Sequence, residues 1–246
     1  MKLHILGCGD AFGSGGRHQS GYLIEASDKL FLLDCGPTTL LAMKRAGFDP
    51  RRLDAIILSH LHGDHFGGVP FFFLDYLYRQ PKRDPLIIAG PPRTKAKVRR
   101  LFEVMYGGDS RLKALPPNVL FHTLRPGRSA HVVGIDVFPF LVPHQTHEIS
   151  LGLKVSYDGK QLLYSGDSLW TENFIDQARG VDLFLCECSF YRKQPGRHIN
   201  YQILRANLSR LRCRRLILTH LGEEMLARRN HLAVDALASD GMMVEF

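Results

Sequence analysis

The segment Ser59-His60-Leu61-His62-Gly63-Asp64-His65-Phe66-Gly67-Gly68 places three histidines and an aspartate within six residues. Neutral imidazoles beside a carboxylate suit zinc, iron or manganese. The run follows directly on the apolar stretch Ala55-Ile56-Ile57-Leu58. A tight turn after a strand can fan those four side chains around one point. A solvated polar loop is the competing reading, and four ligand-type side chains at this spacing argue against it.

The rest of the chain supplies partners on the same plan. Phe138-Pro139-Phe140-Leu141-Val142 leads into Pro143-His144, Gln161-Leu162-Leu163-Tyr164 into Ser165-Gly166-Asp167, and Leu216-Ile217-Leu218 into Thr219-His220. Each is an apolar strand ending in a ligand-type residue, and open α/β sheets place their sites at strand carboxyl ends. Seven ligands suit two divalent metal ions: His60, His62 and His144 on one, Asp64, His65 and His220 on the other, with Asp167 bridging. Zinc is expected first, with manganese or iron as alternatives. Pro143-His144-Gln145-Thr146-His147 offers two imidazoles. His144 is preferred because it follows the strand end directly, which leaves His147 to face substrate or solvent.

The order of these motifs resembles the metallo-β-lactamase superfamily, whose signature reads here as His60-x-His62-x-Asp64-His65, and the likeness runs from Gly7-x-Gly9 to Thr219-His220. It implies an α/β fold, a four-layer αββα sandwich of two mixed sheets flanked by helices, with the dinuclear site at one edge. One domain over 1–246 is expected, made of two βα halves that meet near residue 125. The resemblance also implies a homo-oligomer, a dimer.

Two metals about 3.5–4 Å apart can bind a hydroxide between them, lower its pKa and hold an anionic substrate oxygen. Asp64 is then the partner in proton handling. Glu187, in Leu185-Cys186-Glu187-Cys188-Ser189-Phe190, and His198, in Gly196-Arg197-His198, resemble the glutamate and histidine of the Z-type ribonuclease branch. There a carboxylate orients a histidine that acts on the phosphodiester leaving oxygen, which makes chemical sense because the carboxylate supports the protonated ring. A strand-end acid and a surface histidine are the plainer reading. The chain departs from that branch at Cys186, where a histidine is usual, and at Ile199-Asn200, where Ser or Thr is usual. Its transfer-RNA-binding arm has no room either, since only the 22 residues from Gln145 to Gly166 separate His144 from Asp167. Gly90-Pro91-Pro92-Arg93-Thr94 matches a loop common in this branch, though such a turn is ordinary.

The expected function is a dinuclear metal-dependent hydrolase, a phosphodiesterase on a small phosphodiester such as a cyclic nucleotide. Alternatives are an arm-less RNA-processing nuclease resembling ribonuclease Z, a lactam or thioester hydrolase, and a metal-binding module without catalysis.

Elements that could position these residues alternate in the α/β manner. Strands are predicted over 2–6, 22–25 and 29–34, the first two joined by the turn Gly13-Ser14-Gly15-Gly16. A helix follows, with Pro37 in its first turn and Gly47 past its end. A strand over 54–59 comes next, then a helix capped by Thr94 and running towards Gly107-Gly108. Residues 119–124, 131–142, 152–157 and 160–165 predict strands, the last two joined by Asp158-Gly159. Strands over 181–189 and 214–219, with a helix capped by Asn200 between them, complete the set. Ile57-Leu58-Ser59-His60-Leu61 and Ile217-Leu218-Thr219-His220-Leu221 are near copies, as two face-to-face halves would allow.

Composition narrows the class. The 246 residues are 45% hydrophobic and 23% charged, which excludes a disordered chain. The apolar stretches 69–74 and 138–143 are far short of the roughly 18–20 residues of a membrane span, so no membrane partner is expected. Met-Lys-Leu-His-Ile-Leu-Gly-Cys-Gly lacks a signal-peptide core, and a cytoplasmic location is expected. The net charge of +8 comes from basic stretches at 79–83, 93–100, 205–215 and 228–229. They read as solvated helix faces or as attraction for a phosphate-bearing substrate. Five cysteines show no disulfide framework. Cys186 and Cys188 share one strand face and read as buried thiols, with Glu187 on the other face.

Overall fold

Strands covered on both faces carry apolar residues without alternation, and Leu30-Phe31-Leu32-Leu33 is such a run, buried throughout. The computed structural model describes residues 1–79, 84–107, 115–194, 196–234 and 236–246. Its first half runs β1 (Lys2–Gly7), β2 (Gly21–Glu25), β3 (Leu30–Cys35), α1 (Thr39–Arg45), β4 (Ala55–Ile57), α2 (Gly63–Phe66), α3 (Val69–Tyr78), β5 (Leu86–Gly90), α4 (Thr94–Tyr106) and β6 (Val119–Thr123). The second half runs β7 (Ala130–Val132), β8 (Ile135–Leu141), β9 (Leu151–Tyr157), β10 (Lys160–Tyr164), α5 (Asn173–Gln177), β11 (Leu183–Glu187), α6 (Tyr201–Asn207), β12 (Leu216–Thr219), α7 (Glu223–Ala227), β13 (Ala236–Leu237) and β14 (Met243–Glu245).

Two mixed seven-stranded sheets result, ordered β14-β1-β2-β3-β4-β5-β6 and β13-β12-β11-β10-β9-β8-β7. Along β1 to β6 the pairings are antiparallel twice and then parallel three times. The series from β8 to β13 repeats that order. The repeat matches β4 with β11 and β5 with β12. The near copies at Ile57–Leu61 and Ile217–Leu221, which begin within β4 and β12, therefore do not mark equivalent strands.

Three apolar clusters define four layers. Ile5, Tyr22, Phe31 and Ile57 meet Val137, Leu153, Tyr164 and Leu185 between the sheets. Leu23, Leu32 and Ile88 pack outward against Met43, Phe72, Phe73, Val98 and Phe102 of the first helix layer. Leu163, Phe184 and Leu218 pack outward against Phe174, Tyr201, Leu204 and Met225 of the second. This is the αββα sandwich.

Several local expectations shift. Residues 131–142 form a hairpin rather than one strand, because Val133 (φ 46°) and Gly134 (φ 91°) turn the chain in the left-handed region. Thr94 is the first helical residue and not the cap; Arg93, at φ 75°, holds the cap position, and the Thr94 hydroxyl donates to the Pro91 carbonyl at 2.6 Å. Pro37 precedes the α1 cap residue Thr38 instead of lying in the first turn. Asn200 does cap α6, its side chain accepting from the Ile203 N–H at 3.1 Å. Helix α3 and strand β5 are not among the predicted elements. The basic stretch at 80–83 and Gly108 lie outside the described residues.

Candidate metal centre

Strands β3 to β6 are parallel, and so are β10 to β13. Strand β8 runs antiparallel to β9, which runs antiparallel to β10, so β8 points the same way as β10. The chemistry-bearing residues follow the carboxyl ends of these strands. His60 and His62 lie after β4, and Asp64 and His65 lie within the one-turn helix α2 that Gly63 begins. His144 follows β8, Asp167 follows β10, Glu187 ends β11 and His220 follows β12.

Among the described residues the two four-membered donor groups share one carboxylate: His60, His62, His144 and Asp167, and Asp64, His65, Asp167 and His220; two groups of three, Asp34, His60 and His65, and Asp167, Glu187 and His198, overlap them. Asp167 Oδ2 stands 3.2 Å from His65 Nε2, 3.3 Å from His220 Nε2 and 3.8 Å from both His60 Nε2 and His144 Nε2. His62 Nδ1 and His144 Nε2 are 3.1 Å apart. His147 is exposed and joins neither group.

The outward ring nitrogens are engaged, and this fixes which nitrogen faces the centre. His65 Nδ1 donates to Asp34 Oδ2 at 2.7 Å. The Ser59 hydroxyl donates to the same oxygen at 2.7 Å and lies 3.0 Å from His60 Nδ1. His144 Nδ1 donates to the Arg197 carbonyl at 2.9 Å, and His220 Nδ1 meets the Ser20 hydroxyl at 3.2 Å. Inside the ring of donors, His60 Nε2, His65 Nε2 and Asp167 Oδ1 are buried with no hydrogen-bond partner. Buried polar atoms rarely go unpaired. Unpaired imidazole lone pairs and a carboxylate oxygen converging on one point are the donor chemistry of a divalent cation, and the residues fit one.

The electrostatics agree. Burial above all, with the neighbouring imidazoles, holds His60 well below the ordinary histidine range, and burial also lowers His62 and His144. Those three rings are neutral at pH 7, as ligands must be. At Asp167, burial opposes ionisation, yet His220 and His65 hold the carboxyl well below its usual range. Asp64 likewise falls to about 2 against its burial, chiefly through His65. Burial disfavours charge on His65, but Asp167, Asp64 and Asp34 together raise it well above its usual value. That concentration of negative charge favours a cation.

Beside the cluster, Glu187 Oε1 accepts from His198 Nδ1 at 2.9 Å, and His198 Nδ1 lies 3.9 Å from Asp167 Oδ2. Burial works against a charged His198, but Glu187 outweighs it and raises the pKa to about 9. Glu187 also accepts from the N–H groups of Ser168 and Ser189 at 2.8 and 3.2 Å. Cys186 and Cys188 point the other way into the helix-facing core, where burial pushes both thiols far up. Ile199 is buried and Asn200 is spent on the α6 cap, so neither replaces the Ser or Thr of the Z-type pattern.

Asp34, at the end of the predicted strand 29–34, is not among the expected site residues. It is fully buried and accepts from the Ser59 N–H, the Ser59 hydroxyl, the Tyr164 hydroxyl and His65. As the acid near the carboxyl end of Leu32-Leu33-Asp34, it follows the same strand-end pattern as Asp167 and His220. Asp34 (φ 56°) and His220 (φ 55°) both sit in the left-handed region, where non-glycine strain gathers at functional positions. Several cations of the basic stretches are spent on surface contacts: Arg93 and Lys97 with Glu148, Arg210 with Glu172, Arg214 with Asp182, and Arg228 over the Tyr191 ring. Among the described residues no helix is long and apolar enough to cross a membrane.

The family model for Anti-Pycsar protein Apyc1 matches residues 1–243. "Probable metallo-hydrolase YhfI" of Bacillus subtilis is 27% identical over 207 residues, covering 80% of this chain and 75% of its own. Ribonuclease Z of Methanosarcina acetivorans is 26% identical over 267 residues, covering 90% and 87%. The crystal structure of the metallo-β-lactamase fold protein YhfI superimposes with a TM-score of 0.80 at 21% identity, covering 99% of each chain. A diphosphatase from the PhnP family superimposes with a TM-score of 0.79 at 19% identity, covering 100% of this chain and 97% of that one. Such structural likeness shows the metallo-β-lactamase fold.

Proposed function

The chain belongs to the Anti-Pycsar protein Apyc1 family, and from that premise we propose that it is a dinuclear metal-dependent phosphodiesterase acting on a small phosphodiester such as a cyclic nucleotide. The observation that carries this reading is the 2.9 Å Glu187–His198 pair beside two donor groups that share Asp167. Relatives named as a ribonuclease and a diphosphatase lend support.

His60, His62, His144 and Asp167 would hold one divalent ion and Asp64, His65, Asp167 and His220 the other, with zinc expected and manganese or iron as alternatives. When bound, the ions supply positive charge for the phosphoryl oxygens and acidify water. Asp64 orients the attacking water and takes up its proton as the water oxygen bonds to phosphorus. The bond from phosphorus to the leaving oxygen breaks, and that oxygen takes its proton from His198. Glu187 holds His198 Nδ1–H, which directs Nε2 to the substrate and supports the charged ring.

A nuclease reading has the ribonuclease Z relative in its favour. Against it, only β9, β10 and their turns separate His144 from Asp167, which leaves no room there for the transfer-RNA-binding arm of the Z-type ribonucleases. A hydrolysis panel on the metal-loaded protein decides between them. Cyclic nucleotides and aryl diesters are expected to react, while a phosphomonoester, a lactam and a thioester are not. A kcat/KM for precursor transfer RNA well above that for any small diester would overturn the assignment.

A further inference from the structure

Four strands end the two sheets: β14 and β6 in the first, β13 and β7 in the second. Among the described residues β14, β13 and β7 are three, two and three residues long, whereas β6, Val119-Leu120-Phe121-His122-Thr123, has five. Exposed edges are ordinarily kept short or guarded by lysine, proline or a bulge. β6 carries none of these and leaves Leu120 51% exposed. Its outer edge is also open. The Leu86 N–H donates to the Asn118 carbonyl at 2.9 Å and the Leu124 N–H to the Gly90 carbonyl at 2.7 Å, so the even-numbered residues address β5. By alternation Phe121 and Thr123 turn their N–H and C=O groups outward, and no partner meets them among the described residues.

A groove of about 530 Å³ lies between this edge and α4, with Lys95, Ala96, Arg99, Arg100, Phe121 and Thr123 in its lining. Lys95, Arg99 and Arg100 are exposed. Arg100 comes within 3.7 Å of Glu103, while Lys95 and Arg99 have no ion pair among the described residues. This arrangement works against the helix itself. Like charges four residues apart repel, and the first turn of α4 holds no acid to offset the positive end of its dipole. An anionic partner removes both costs. A second copy of this chain would bring two sets of cations together. A nucleic acid would use the cations and leave the backbone edge unpaired. An acidic strand uses both.

We propose that the β6 edge and α4 form a docking groove for an acidic peptide segment that joins the first sheet as an added strand. Successive side chains of such a strand point to opposite faces. Phe121 packs on the cluster that holds α4, so Leu120 faces the other way. Carboxylates at every second position therefore meet Lys95, Arg99 and Arg100, and apolar residues between them cover Leu120. Main-chain bonds supply the affinity and the alternation supplies the selectivity.

The test uses the metal-loaded full chain and the fluorescein-labelled peptide Glu-Val-Glu-Val-Glu-Val-Glu-amide, with heptauridylate as the nucleic-acid comparison. The peptide should bind, and amide hydrogen exchange over 119–124 should slow by at least about fivefold at saturation. The double variant Lys95→Glu with Arg99→Glu changes only an exposed helix face and should weaken the peptide by about tenfold. Thr123→Pro removes one outward N–H and spares the ladder to β5, as proline on an edge does. It should weaken the peptide by about 5- to 10-fold, the worth of one hydrogen bond, and leave heptauridylate unaffected. A peptide that fails to bind at millimolar concentration, or that binds folded Thr123→Pro as tightly as wild type, would overturn the proposal. If Thr123→Pro does not fold, hydrogen exchange decides, since binding without slowed exchange over 119–124 overturns it equally. Tighter binding of heptauridylate than of the peptide, weakened by the charge reversal, would assign the groove to nucleic acid instead.

Discussion

On one side of Asp167, His65 donates its Nδ1 proton to the buried carboxylate of Asp34 at 2.7 Å; on the other, His144 donates its own to a backbone carbonyl at 2.9 Å. The first side is enclosed, with His65 at 0% and His220 at 2% exposure, whereas His62 on the second side is exposed. Asp34 reaches the second side only through Ser59, whose hydroxyl lies between it and His60. An imidazole backed by a carboxylate is the stronger donor. The enclosed side is built to retain positive charge. The open side has weaker support and a cavity at its door, which on the proposed reading is where substrate would arrive.

The largest test removes what the sides share. Asp167→Ala takes away the carboxylate within 3.8 Å of His60, His65, His144 and His220. Elemental analysis should show both metal equivalents lost and hydrolysis abolished, with the circular dichroism of the fold retained. A full equivalent remaining on the enclosed side would mean that Asp167 is not shared.

His198 packs against both sides, its ring centroid 4.9 Å from His144 and 5.3 Å from His220. His198→Ala should keep the metal content while slowing ribose-type leaving groups by roughly 10²–10⁴-fold. The loss should shrink for p-nitrophenolate, which departs without a proton. Because the His198 pKa is raised to about 9, the acid form prevails at neutral pH. The rate on poor leaving groups should therefore fall as pH rises through about 9. Glu187→Gln removes the charge that raises this pKa, so the fall should begin at lower pH. A profile unmoved by Glu187→Gln would detach the pair from proton transfer.

The difference between the sides was only half legible in the sequence. Ligand-type residues declare themselves through spacing, as in His60-x-His62-x-Asp64-His65, and strand-end recurrence singled out His144, Asp167 and His220, which the fold brings to the same cluster. Support residues do not, because Asp34 and Ser20 meet their imidazoles across 31 and 200 residues. Element errors have similar causes. Val69, Phe72, Phe73 and Tyr76 are the buried face of α3 and repeat at helical spacing, but in a continuous apolar run that period is masked. The hairpin at Val133-Gly134 lacked its signal, since a β-branched residue takes a position where Asn or Asp would be expected. Asp158-Gly159 carried that signal and turned as predicted.

Asp34→Asn tests the carboxylate support directly. The amide oxygen can still accept from the Ser59 N–H, a bond now 2.7 Å long, while the NH₂ takes the place of the oxygen that accepts from Tyr164, whose hydroxyl can turn to accept instead, so the fold should persist. Metal affinity should fall by about 10–100-fold, as when such outer partners of ligands are lost. Chelator titration should show the effect concentrated on the more tightly held equivalent. Equal weakening of both equivalents would mean that Ser59 transmits the charge to His60 as well as the direct bond does to His65.

The smallest expected effect lies at Ser20. Its hydroxyl meets His220 Nδ1 at 3.2 Å, a neutral contact and a longer one than that of Asp34 with His65. The backbone also limits what Ser20 must do. Leu221 bridges to Gly9 and its N–H donates to the Cys8 carbonyl at 3.3 Å, while the Gly222 N–H donates to the Ser189 carbonyl at 3.1 Å. With the residues after His220 tied on both flanks, its left-handed backbone stays in place without Ser20, and the ring has little freedom to swing. Ser20→Ala should thus weaken metal binding by less than about tenfold, the net worth of one neutral hydrogen bond, with kcat nearly unchanged. If Ser20→Ala costs as much as Asp34→Asn in the same titration, carboxylate support is not what separates the two sides, and enclosure alone must account for their difference.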